Sequence, residues 1–306
     1  MGEAAERDRV WLVENGGWDE RVLVCRCGAT VDAHIVVSER YVVLIDTLIN
    51  PRTAAAMLDI ARERLTGNRQ LLVVNTHADW DHCWGNQLFA GPDAVHPAPI
   101  IATRRCAEQF RSPEAAPLLQ QMREREPGRF DEVRHVPPTI LFEERLAIDG
   151  GDLTLELFAT PGHSPDHAAV YLPEIGTLLA GDAAEAPFPF ARSADTLPEL
   201  RASLARMAEL NPTVALYCHA PVTAGPALLR DNIAYFDTLE ERCRAALARG
   251  VPSAPPEDAD VEALVAFPFA EALPASVRPE DLGDWNYARG HQAAIRMMLA
   301  GLKVEG

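Results

Sequence analysis

Residues 75–86 read NTHADWDHCWGN and bring His77, Asp79, Asp81 and His82 within six positions. Imidazole nitrogen and carboxylate oxygen are the groups that divalent transition metals take as ligands. His77 and Asp79 lie two apart, so an extended loop projects both to one side. Asp81 and His82 are adjacent and need the turn into a following helix to aim them at a neighbouring position. Three further metal-competent groups stand where apolar runs of strand length end: His163 in ATPGHSPDH, Asp182 in LLAGDAAE and His219 in LYCHAP. The end of a buried strand is where α/β folds keep their sites. Gly162 and Gly181 each precede one of these residues and let the backbone turn tightly there. Singly, His163 reads as a turn histidine and Asp182 as a helix N-cap; the ordered set is what points to metal.

The surrounding pattern supplies elements to position them. Strand-like alternation runs through RVLVCRCGATVDAHIVVS and RYVVLIDT, the latter carrying Asp46 near its end. Helical periodicity follows in PRTAAAMLDIARERLTG, with Pro51 near its start and Gly67 near its end. QLLVVNT reads as a buried strand flowing into the metal-competent motif, and DHCWGNQLF as a helix start. Residues 104–136, rich in Arg and Glu, read as one or two exposed helices forming an insertion or lid. ERLAIDGGDLTLELFATPGHS and HAAVYLPEIGTLLAGD return to strands, with Gly150-Gly151 at a hairpin turn. TLPELRASLARMAEL is an amphipathic helix, TVALYCHAP a short strand ending at His219, and ALLRDNIAYFDTLEERCRAALARG a long helix. VPSAPPEDAD is a proline-rich linker. The expected domains are therefore residues 1–250 and a helical extension, 251–306, packed on or capping the first. In that extension DWNYARGHQAAIRMML sets Trp285, Tyr287 and His291 near a helix start. The Gly-rich first turn of a dinucleotide-binding domain is missing from the pattern.

The totals narrow the partners. A net charge of −17 argues against nucleic-acid backbones and anionic membranes. Lys303 is the only lysine, so recognition of an anion falls to arginine or backbone N–H. The start lacks the apolar core of a secretory leader and no run reaches the 18 or so apolar residues of a spanning helix. The expected location is cytoplasmic and the expected partner a small-molecule substrate, with a homodimer left open. Six cysteines read as free thiols; Cys25 and Cys27 share a strand face as core residues, and Cys83 and Cys218 are read as packing groups. His34, His96 and His135 are read as core or surface histidines, and His167 as a support to the metal residues.

Five ordered segments, those of Asp46, His77, His163, Asp182 and His219, together resemble the metallo-β-lactamase superfamily over roughly residues 20–240. The resemblance implies an α/β fold, a four-layer αβ/βα sandwich, here with a C-terminal helical extension. It implies two metal ions, one on His77, Asp79 and His163, the other on Asp81, His82 and His219, with Asp182 bridging and Asp46 supporting the metal loop. It further implies a metal-bridging hydroxide, oriented by Asp81 as the catalytic aspartate, that attacks an ester, lactone, thioester, amide or phosphoester. The departure is Asp79: the family pattern His-x-His-x-Asp-His here reads His-x-Asp-x-Asp-His. A carboxylate is harder than imidazole, so two zinc ions are the first expectation and iron or manganese is admitted. Flavodiiron proteins carry Glu at that position, and the nuclease-like domain of DNA-uptake proteins carries Asp. A true β-lactamase is disfavoured by the missing export signal, the lack of lysine in the main domain and Asp79 itself. A flavodiiron reductase would need a flavodoxin-like segment. The alternatives on the same fold are an iron oxygenase or oxidoreductase and a phosphodiesterase or nuclease-like enzyme. Trp80, the loop residues Phe188, Phe190 and Arg192, and His291 are the candidates for substrate contact, Arg192 meeting an anionic group.

Overall fold

Apolar side chains fill both faces of the early strands, so those strands lie inside the molecule instead of covering one side of it. The computed structural model describes residues 7–92, 94–282 and 286–302, and Trp285 lies outside them. The chain forms two compact units: Met1–Ala159 with Asp166–Leu179, and Thr160–Pro165 with Ala180–Gly306.

In the first unit, β1 (Val10–Leu12), β2 (Val22–Cys27), β3 (Val31–Val37) and β4 (Tyr41–Ile45) form an antiparallel meander. Helix α1 (Pro51–Arg62) then returns the chain so that β5 (Gln70–Val74) pairs parallel to β4. A parallel step needs such a crossover, whereas the earlier antiparallel steps need only turns. Asn50 caps α1: its side chain accepts from Arg52 N at 3.1 Å and Thr53 N at 3.0 Å, and Thr53 Oγ1 accepts from Asn50 N at 3.1 Å. The helix stops at Arg62, short of the expected Gly67, and the chain closes in tight turns at Arg64 and Leu65. After β5 come α2 (Trp80–Cys83), β6 (Ile100–Thr103), α3 (Arg104–Gln109), α4 (Ala115–Arg125) and β7 (Ile140–Phe142). The two helices fall inside the expected 104–136 insertion. β6 and β7 were not expected, and both add parallel, giving a seven-stranded sheet in the order 1-2-3-4-5-6-7.

The second sheet begins with β8 (Arg145–Asp149), β9 (Thr154–Ala159), β10 (Ala168–Leu172) and β11 (Thr177–Leu179), antiparallel in the order 11-10-9-8 within this unit. Gly151, at φ 97°, makes the β8–β9 turn in the left-handed region, as its sequence suggests.

The second unit holds α5 (Leu197–Glu209), β12 (Val214–Leu216), α6 (Ala227–Ala248), α7 (Val261–Val265) and α8 (Tyr287–Gly301). Arg296 of α8 stitches down the proline-rich linker, donating to the carbonyls of Pro255, Pro256, Glu257 and Ala259. Two sheets, flanking helices and a helical C-terminal run make this an α/β protein of the expected class. No helix among the described residues is long and apolar enough to cross a membrane.

All six cysteines are free and buried. Burial pushes the Cys25 and Cys27 thiols up to about 12, so they are inert core groups. His34 on β3 is also core. Burial drives its pKa from 6.5 down to about 4. Between those values the unfolded chain binds a proton there and the folded protein does not, so stability rises with pH. In metal-free protein, about 3 kcal/mol of stability from this residue should be present above pH 6.5 and lost as the pH falls toward 4. Urea midpoints at pH 7 and pH 4.5 will show a shallower acid loss in His34→Leu than in the parent protein; equal slopes would reject the assignment.

Candidate metal centre

The first unit carries the motif between β5 and α2. Its two terminal asparagines close it like a clasp: Asn75 Nδ2 donates to Asn86 Oδ1 at 3.1 Å, and Asn86 Nδ2 donates to Asn75 Oδ1 at 2.8 Å. Gly85 sits where an added Cβ would lie 2.2 Å from Thr47 O, so only glycine allows this approach. Between the clasped ends, His77, Asp81 and His82 are buried and Asp79 is partly exposed. His77 Nε2 stands 3.4 Å from Asp79 Oδ2, and His82 Nε2 stands 3.8 Å from Asp81 Oδ1. The two histidine rings lie 4.2 Å apart, centroid to centroid.

The opposite side of each ring meets an oxygen. His82 Nδ1 is 2.9 Å from Asp46 Oδ2, and His77 Nδ1 is 3.0 Å from Thr76 Oγ1. Asp46 also accepts from Thr76 N and Thr76 Oγ1, each at 2.7 Å. A histidine whose Nδ1 is so engaged presents Nε2 outward, the arrangement that orients metal-binding imidazoles. Asp166 fixes the loop from another side, its Oδ2 accepting from Ala78 N at 2.8 Å. His167 is buried with its ring 4.9 Å from that of His77.

The second unit carries the other three expected groups on separate segments. His163 follows Gly162, whose φ of 138° and whose position, with an added Cβ 2.2 Å from Leu200 Cα, exclude any side chain. Asp182 lies in a single 3-10 turn, Gly181–Ala183, entered through Gly181 at φ 56°. His219 follows β12. One oxygen, Asp182 Oδ2, is 3.6 Å from His163 Nε2 and 3.4 Å from His219 Nε2. Glu185, which no motif or spacing marks in the sequence, has Oε1 3.3 Å from His163 Nδ1. Burial raises the Glu185 carboxyl above its ordinary range, opposed by the contact with His163.

These donor sets fit divalent metal. Metal–nitrogen and metal–oxygen bonds of about 2.0–2.2 Å put two ligand atoms of a tetrahedral ion roughly 3.3–3.6 Å apart. The pairs in each unit stand at or near that separation, with Nε2 as the presented nitrogen.

The residues expected to touch substrate separate into two groups. Trp80 is half-buried, edge-on to Phe130 at 5.7 Å, with the Arg129 guanidinium 5.5 Å from its ring. Phe190 is half-buried and Arg192 exposed. Phe188 and His291 are instead fully buried in an aromatic core with Tyr235 and Phe267. Phe188 stacks on Tyr235 at 4.2 Å. His291 Nε2 is 2.8 Å from Phe267 O and its Nδ1 is 3.0 Å from the Tyr235 hydroxyl, so both ring nitrogens are satisfied inside the core.

The family model described as the metallo-beta-lactamase superfamily matches residues 29–219. No curated protein matches the sequence. Among solved structures, a metallo-beta-lactamase family protein from Thermus thermophilus is 24% identical with a TM-score of 0.53, over 78% of this chain and 82% of that one. The stereoselective inverting sec-alkylsulfatase Pisa1 from Pseudomonas sp. is 17% identical with a TM-score of 0.62, over 97% of this chain and 50% of its own, so this chain spans about half the sulfatase's length. An archaeal metallo-beta-lactamase superfamily protein from Sulfolobus tokodaii is 18% identical with a TM-score of 0.52, over 75% of this chain and 86% of that one. These likenesses are likenesses of fold.

Proposed function

The chain belongs to the metallo-beta-lactamase superfamily, and from that premise we propose that it is a metal-dependent hydrolase of a small molecule carrying an ester, lactone, thioester or phosphoester bond. In this reading, which follows the family resemblance, His77, Asp79 and His163 would hold one ion and Asp81, His82 and His219 a second, with Asp182 as the carboxylate that would serve both. The observation that carries it is the single oxygen of Asp182 facing the Nε2 atoms of two histidines from different segments, at 3.6 and 3.4 Å. The match to the family model spans all seven residues.

Bound divalent ions would supply an acidified water as nucleophile and polarise the bond under attack. The rest falls to the chain. Asp81 would orient that water through its carboxylate. Asp46, Thr76 and Glu185 hold the histidines by Nδ1. Trp80, Phe190 and Arg192 are assigned to the substrate side, with Arg192 meeting an anionic group. A net charge of −17 favours a small substrate over a nucleic acid.

The test pairs metal analysis with a panel of ester, lactone, thioester and phosphodiester substrates. A secondary alkyl sulfate joins the panel because the alkylsulfatase shares the fold over 97% of this chain. Two zinc ions per chain with turnover of a panel member supports hydrolysis. One specific feature, the carboxylate of Asp79, favours a second reading, an iron-dependent oxygenase; one iron per chain with thiol-dependent oxygen uptake would replace the first reading with that one. Asp79→His should shift selectivity toward zinc over iron and manganese, measured by competitive metal loading. Unchanged metal content and unchanged activity would remove Asp79 from the ligand set.

A further inference from the structure

We propose that Glu185 is a positioning residue for His163: its carboxylate holds the ring by Nδ1, so that Nε2 points toward Asp182, and it thereby sets the affinity of the ion that His163 binds. The inference rests on the metal-centre reading above and adds to it a residue outside the family motif.

Glu185 is 5% exposed, and a buried carboxylate needs a partner to repay its lost hydration. Its Oε1 meets His163 Nδ1 at 3.3 Å, while Asp182 Oδ2 lies 3.6 Å from Nε2 of the same ring. The two nitrogens point in different directions, so Glu185 stands behind the ring from the metal side and orients it without being a ligand. The backbone at Glu185 is built for this. Its N–H donates to Asn232 Oδ1 at 3.1 Å, and Asn232 Nδ2 donates to Glu185 O at 3.0 Å and to Pro187 O at 3.2 Å. Asn232 is fully buried on α6, a long helix that makes a firm platform. The next residue, Ala186, donates its N–H to His219 O at 3.1 Å. One dipeptide thus meets both ligand-candidate histidines of this unit, Glu185 by a side-chain contact with His163 and Ala186 by a main-chain hydrogen bond to His219. The first unit uses the same device where Asp46 Oδ2 meets His82 Nδ1 at 2.9 Å.

The experiment is a titration of metal-stripped full-length protein with zinc against a chromophoric chelator, in wild type, Glu185→Met and Glu185→Gln. Methionine fills the same space without an acceptor; glutamine keeps an acceptor oxygen at the same reach. In E185M one of the two zinc ions should bind about 10–100-fold more weakly and the other as in wild type. E185Q should recover most of that loss. Selective weakening of one ion is the signature of positioning. Equal affinities in all three proteins would overturn the proposal. So would equal weakening of both ions with lowered stability of the metal-free variant, the mark of a merely structural role. Should E185M not fold, Glu185→Leu takes its place as the variant without an acceptor: selective weakening of one ion supports the proposal and wild-type affinity for both ions overturns it. Failure of the metal-centre reading would show separately, as a wild-type protein that takes up no zinc before any variant is made.

Discussion

On the proposed two-ion reading, an Asp182→Ala variant will lose both metal ions together and, with them, hydrolytic activity. Asp182 Oδ2 is placed near two metal-competent nitrogens of its unit, at 3.6 Å from His163 Nε2 and 3.4 Å from His219 Nε2. In the proposed centre those histidines hold different ions, so removing their shared carboxylate weakens both. It also takes away a negative charge that helps offset two dications held close together. Activity should fall more than about 100-fold, beyond the loss expected from removing a group that only supports a ligand. Metal content after gel filtration should drop from two ions per chain to less than one. His163→Ala supplies the contrast, because it should keep the ion assigned to His219. The metal-free variant should be at least as stable as the metal-free parent, since Asp182 adds charge repulsion to buried Glu185 there. Two ions retained by Asp182→Ala would end the bridging assignment.

The seven ligand candidates stood out in the sequence because four of them, His77, His163, Asp182 and His219, closely follow apolar runs that form strands, while Asp79, Asp81 and His82 are spaced tightly after the first of these. Local order also carried the glycine requirements: Gly162 and Gly181 both take positive φ just before a ligand candidate. What the sequence withheld were partnerships between distant positions. Ala78 N meets Asp166 across 88 positions, and Glu185 N meets Asn232 across 47, with no periodicity to announce either. β6 and β7, of four and three residues, are too short to display a period, and only pairing along the sheet edge makes them strands. Phe188 and His291 show a different limit. An aromatic or a histidine on a loop or helix start looks the same whether it will line a pocket or fill a core. Here the Tyr235 hydroxyl and the Phe267 carbonyl satisfy His291 from elsewhere in the fold, which settles its place.

The second large effect is expected at Asp46, where one side chain serves both stability and the site. Asp46 is 1% exposed and takes φ 70°, a conformation that Asp tolerates better than most residues. Its carboxylate accepts from Thr76 N and from Thr76 Oγ1 and faces His82 Nδ1, behind the ring from Nε2. Asp46→Ala strands these buried donors and places alanine in the left-handed region. The expected cost is about 3–5 kcal/mol, read as a lowered urea midpoint with an unchanged slope. Asp46→Asn separates the two roles. Its amide oxygen still accepts from Thr76 N and the left-handed backbone is kept, so the stability loss should be the smaller of the two. Its NH2, however, replaces the oxygen facing His82. The imidazole must then accept at Nδ1 and carry its proton on Nε2, the nitrogen that metal binding requires to be bare. Zinc affinity should fall about 10–100-fold in a protein that remains folded. If D46N binds zinc as tightly as wild type, Asp46 acts on the fold alone, and the orientation of His82 must come from the packing around its ring.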